Sequence, residues 1–169
     1  AILEIREERK NSLNSLSKSN IPTLNTTNPI MLQLFADFAK LVNYRYPFLY
    51  MAKIGFEDMM KYEFHKDASV MVTATTDTSH LSNSIGSNFT LLKDINLLDH
   101  TLNVFKEGLY IGKSKGRAMQ IAIPLLGCLF HDFGKSTKIR DEILGVQTGK
   151  GYRVHAEVSS LYIKDILSL

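Results

Sequence analysis

An all-α helical bundle is the fold class this sequence predicts, and three observations carry it. Apolar residues recur at i, i+3, i+4 and i+7 over long stretches, the period of a helix with one buried face. The stretch from Ile121 to Phe130 is apolar almost all round, as expected of a helix at the centre of a bundle. Only one possible short strand is readable, at Val70 to Val72 inside an otherwise polar stretch. The 169 residues are enough to bury one core without disulfides. A content of 44% hydrophobic and 22% charged residues places the chain among ordinary globular domains.

The elements follow in order. Ile2 to Lys10 reads as a short charged helix, and Asn11 to Asn28, rich in Ser, Asn and Thr, as a linker. Residues 1–28 are therefore taken as an N-terminal extension and 29–169 as the helical domain. Asn28-Pro29 forms a cap and first-turn pair. Behind it Met31, Leu34, Phe35, Phe38, Leu41 and Val42 make an amphipathic helix. Pro47 interrupts, and a second helix runs from about Phe48 to Phe64. His65 to Asn88 is polar and reads as one long loop, a kind of segment that often carries function. A helix from about Leu91 to Tyr110, a basic turn at Gly112 to Gly116 and a helix from about Arg117 to Phe133 follow. Pro124 should kink that last helix or mark its effective start. Thr137 to Gly151 reads as a short helix ending at Gly145 and then a loop, and a final helix runs from about Arg153.

Composition narrows the function classes. Cys128 is the single cysteine and has no partner within the chain, which points to a reducing, cytoplasmic setting. A net charge of +3 permits an anionic ligand but gives no large nucleic-acid footprint. No apolar run approaches the roughly 18–20 residues that span a bilayer, so no membrane partner is expected. The chain opens on Ala1, and its last residues still follow a helical pattern, as expected of a piece cut from a longer protein.

Five histidines are the candidates for chemistry: His65, His80, His100, His131 and His155. His131-Asp132 ends the most apolar stretch of the chain. An ionisable pair there is costly to bury unless it is paired or bound to a metal. Gly134 then frees the backbone, and Lys135 places a cation nearby. Helical projection puts Ile95, Leu98, Leu102, Phe105 and Leu109 on one stripe, with Asn96, Asn103 and Lys106 on the wet face. His100 falls at the margin of that stripe, where a ligand to an internal site would sit. His155 opens the last helix beside the small Ala156. His80 lies in the polar loop, and His65 reads as a residue that caps its helix.

These residues together resemble a known family. The run Leu98-Asp99-His100-Thr101-Leu102, then His131-Asp132-Phe133-Gly134-Lys135, then His155-Ala156-Glu157 is similar to the HD superfamily of metal-dependent phosphohydrolases. The resemblance covers roughly residues 91–169. It implies an HD-type all-α bundle and a divalent metal (Mn, Fe, Zn, Ni or Mg) held by His100, His131 and Asp132. It further implies that Asp132 bridges two metals if the site is binuclear, with His155 as a further ligand. Lys135 would assist with phosphate. The implied reaction is hydrolysis of a phosphoester, in a nucleotide or a related phosphorylated small molecule, by metal-activated water.

The family's distal metal-binding Asp has no clear counterpart. Asp165 is the only Asp after His155. Ten residues along one helix separate the two by about 15 Å, too far for one site. The expectation is that the missing Asp lies beyond Leu169. Two alternatives stand beside hydrolysis. One is a relaxase-like HD domain that processes DNA, motivated by the His80 loop and the basic Lys113, Lys115 and Arg117. The other is a non-catalytic module that keeps the HD fold.

Overall fold

The computed structural model describes residues 3–5, 7–8, 22–69, 92, 94–115, 118–143, 145 and 155–167. Among them the longer helices are α1 (Pro29–Leu41), α2 (Tyr46–Lys61), α3 (Leu97–Lys115), α4 (Ala118–Phe130) and α5 (His155–Leu167). Short 3-10 turns at Phe64–Lys66 and Phe133–Lys135 and a π-helical turn at Ile139–Ile143 complete the order. The described residues contain no strand, and their one β-bridge pairs Ala68 with Asn96. The all-α expectation holds.

Local chemistry explains the boundaries. Asn28 caps α1 through its side-chain oxygen, which accepts the amides of Ile30 at 3.0 Å and Met31 at 3.2 Å, with Pro29 at the first position. Pro47 opens α2 rather than interrupting it, because a first-turn proline has no helical N–H to forfeit. Regular helix in α3 starts later than its apolar pattern. Leu92 is helical, but residues 94–96 break. Asn96 then accepts the Asp99 amide at 2.8 Å and donates to the Asp99 carboxylate at 2.9 Å, a reciprocal cap. The expected basic turn at residues 112–116 is instead helical as far as Lys115. Gly112 there serves packing: a Cβ would come within 2.6 Å of the Ile121 side chain, so its absence lets α3 lie close on α4.

The core has two aromatic layers. Phe56 meets Phe35 and Phe105 edge-on at 6.2 and 5.3 Å between ring centroids, and Phe38 lies 5.6 Å from Phe105. These contacts lock α1, α2 and α3. The second layer centres on Phe133, which meets Phe64, Phe130 and Tyr162 at 4.8, 4.9 and 5.2 Å. Burying such a ring stabilises the fold by about 2–3 kcal/mol. Phe133 directly follows Asp132, so this layer fixes the turn that carries the His-Asp pair.

The chain before α1 is docked from residue 22 onward rather than behaving as a loose linker. Leu24 is buried, the Asn25 amide donates to Glu57 at 2.8 Å, and Lys53 donates to the Thr23 carbonyl at 2.9 Å. Helix α4 is not buried all round. Ala122, Leu125, Leu126 and Leu129 face the core, whereas Ile123 is 70% exposed and Pro124 and Gly127 are also on the surface. Pro124 therefore sits inside α4 on its outer side. The possible strand at 70–72, the rest of the polar loop with His80, and Arg117 lie outside the described residues.

Candidate metal centre

Three elements deliver side chains to one carboxylate. The turn that directly follows α4 carries His131 and Asp132, the 3-10 turn after it carries Lys135, and α3 brings His100 in its first turn. His100 Nε2 and His131 Nε2 each lie 3.1 Å from Asp132 Oδ2, and Lys135 Nζ lies 3.0 Å from the same oxygen. α5 adds His155, whose Nε2 is 3.5 Å from the other oxygen, Oδ1. The Asp132 side chain is 3% exposed, His100 is 15% and His131 is 36%, so the centre is buried but reached from one side.

One atom from each of His100, His131 and Asp132 lies within 4.8 Å of the others, a group that can hold a metal ion. Two ligands bonded at about 2.1 Å and at right angles to each other stand about 3.0 Å apart. The 3.1 Å separations match that edge, but they also match hydrogen bonds. The other side of the His131 ring narrows what can lie between the two atoms. His131 Nδ1 is 2.8 Å from the Cys128 carbonyl, which can only accept, so Nδ1 carries a proton. In the neutral ring Nε2 is then a lone pair aimed at a carboxylate oxygen. That arrangement is stable only with a cation between the two atoms or a second proton on the ring. A histidine whose far nitrogen donates to a backbone carbonyl is the usual form of a metal ligand.

The electrostatics agree. Burial alone would raise the Asp132 pKa, but hydrogen bonds from His100 and His131 and the charge of Lys135 hold its carboxyl far below the usual carboxylate range. For His131, burial disfavours the charged ring. The bond to Asp132, its negative charge and the Cys128 carbonyl outweigh that and raise the pKa. Without a metal the site thus favours a proton on His131, where a cation would otherwise sit.

Gly134 explains how α5 reaches the centre. A Cβ on Gly134 would stand 2.0 Å from the His155 carbonyl and 2.8 Å from the Ser159 amide. Ser159 bridges the junction by accepting the Gly134 amide and donating to the His131 carbonyl, both at 2.8 Å. Ser159 went unread in the sequence, although its place four residues after His155 on one helix face was a usable signal. Ser69 also went unread: its carbonyl accepts Lys135 Nζ at 2.8 Å. Of the expected site residues, His100, His131, Asp132, Lys135 and His155 converge. His65 is exposed in its 3-10 turn. Among the described residues the metal-holding group has one carboxylate, and Asp165 is not part of it.

Fold and cluster define the class: an all-α protein with a buried His/Asp group able to hold a metal ion. No family model, curated protein or solved structure matches the chain. None of its described helices is long and apolar enough to cross a membrane.

Proposed function

We propose that this chain is an HD-type metal-dependent phosphohydrolase domain that cleaves a phosphoester in a nucleotide or related phosphorylated small molecule. The observation that carries the reading is the His131 ring: proton side on the Cys128 carbonyl, lone-pair side 3.1 Å from Asp132. A divalent cation (Mn, Fe, Zn, Ni or Mg) bound there supplies an activated water and offsets charge on phosphoryl oxygens. The chain's own residues do the rest. Asp132 turns Oδ2 to His100 and His131 and Oδ1 to His155, so its carboxylate can serve two sides of one centre. Lys135 contributes a fixed positive charge that favours an anionic ester nearby. The exposed edge of His131 is the side from which a substrate reaches the site.

The test is turnover by the Mn²⁺-loaded chain of nucleotides and of a chromogenic phosphodiester. The proposal expects hydrolysis that Asp132→Asn abolishes. No turnover with any divalent metal would contradict it. A second reading, a non-catalytic module of the same fold, is favoured by the cluster's having one carboxylate among the described residues. It expects metal binding without hydrolysis.

A further inference from the structure

We infer that Lys135 is a positioning residue that ties two paired chain stems to Asp132 and thereby sets the separation of His100 from Asp132. The inference rests on the metal-centre reading for its functional meaning, but the tie itself does not.

Residues 67–69 and 95–97 run side by side. The Leu97 amide donates to the Asp67 carbonyl at 2.8 Å and the Ser69 amide to the Ile95 carbonyl at 3.2 Å. The Ser69 hydroxyl donates to the Leu92 carbonyl at 2.8 Å. α3 begins at Leu97, and the His100 amide bonds the Asn96 carbonyl at 3.1 Å. The stems therefore fix the start of the helix that presents His100. Lys135 joins them to the His-Asp turn: its ammonium donates to the Ser69 carbonyl at 2.8 Å and to Asp132 Oδ2 at 3.0 Å. With a side chain 10% exposed, it points inward at two fixed acceptors. A second stitch runs parallel. The Asp67 carboxylate accepts the Thr137 amide at 3.1 Å and the Thr137 hydroxyl at 2.7 Å, with no contact to Asp132.

A lysine that acted only as a charge has the opposite signature. Its ammonium is a cation 3.0 Å from a metal-ligating oxygen, so removing it would tighten metal binding. A strut predicts weaker binding, because the ligand geometry loosens.

The experiment measures Mn²⁺ affinity by calorimetry and amide exchange in the metal-free state, on the full chain and on Lys135→Met. The expected result is an affinity loss of about 10–100-fold and faster exchange at Ser69 and Leu97. Binding that is unchanged or tighter, or unaltered exchange at both amides, overturns the inference. Asp67→Ala, which leaves the surroundings of Asp132 intact, gives an independent arm should Lys135→Met not fold. It is expected to weaken Mn²⁺ binding, and unchanged binding again overturns the strut. If the unsubstituted chain binds no metal, the proposed function falls, while the exchange measurement still decides the role of Lys135.

Discussion

Glu63 and Asp132 are each gripped by more than one cationic partner, and they differ in what the grip can do. Glu63, at a left-handed backbone position of φ 54° after α2, holds Lys66 and Lys138, each at 2.7 Å. Those bonds, Lys138's first, pull its pKa down to about 2. Asp132 is held by Lys135 and by two imidazoles, and it too is pulled down. The difference lies in the partners and the burial. Ammonium groups only donate, so the Glu63 cluster is a surface clamp between the end of α2 and the segment after the His-Asp turn. Imidazoles can exchange a proton for a metal, and Asp132 is shielded from water. The lesson is that a depressed carboxylate marks a cation nearby, and only the partner's chemistry tells clamp from metal centre.

The comparison can be broken most sharply at Asp132 itself. Asp132→Ala should lower divalent-metal affinity by at least about 100-fold, read by calorimetry. It should also leave Lys135 buried without its carboxylate, at a stability cost of about 3 kcal/mol. A variant that binds metal as before would place the metal elsewhere. Gly134→Ala follows in size. The added Cβ collides with the His155 backbone, so α5 must move. Urea unfolding should show a loss of about 3 kcal/mol, and an unaltered midpoint would mean that α5 docks differently.

The pH dependence sharpens the contrast. The raised pKa of His131 stabilises the metal-free fold fully below the ordinary histidine value of about 6.5. That contribution is lost as pH rises through the raised value. Metal must displace the same proton, so affinity should climb with pH across that range and then level off. A titration of affinity that stays flat between pH 5 and about 8 would argue against His131 as a ligand. For Glu63 the sign is reversed. Its contribution is present above the ordinary carboxylate value and is lost as pH falls through about 2. Glu63→Gln should be the smallest effect of the set. It should give a slight, salt-sensitive shift of the unfolding midpoint and no change in metal affinity.

Much of the fold was legible because periodicity and caps are local. Asn28-Pro29 and the stripe from Met31 to Val42 specify α1 without help from the rest of the chain. His100 was placed at a core margin by helical projection alone, and its side chain is 15% exposed. The misplaced features depend on distant partners. Gly112 reads as a turn until Ile121 is seen against it, and the apolar pattern of α3 runs through the break that Asn96 ends with its cap. Ile123 reads as core because its burial is decided by what packs on α4, not by its own side chain. Ser69 acts through its own carbonyl on Lys135, which its residue type does not announce, whereas Ser159 left one signal, its place four residues after His155.

The central claim is that His100, His131 and Asp132 hold a divalent ion. Metal content after dialysis of the Mn²⁺-loaded chain, compared with His131→Ala, tests it most directly. The account predicts stoichiometric metal in the unsubstituted protein and its loss in the variant. No retained metal, or equal retention in both, would contradict it.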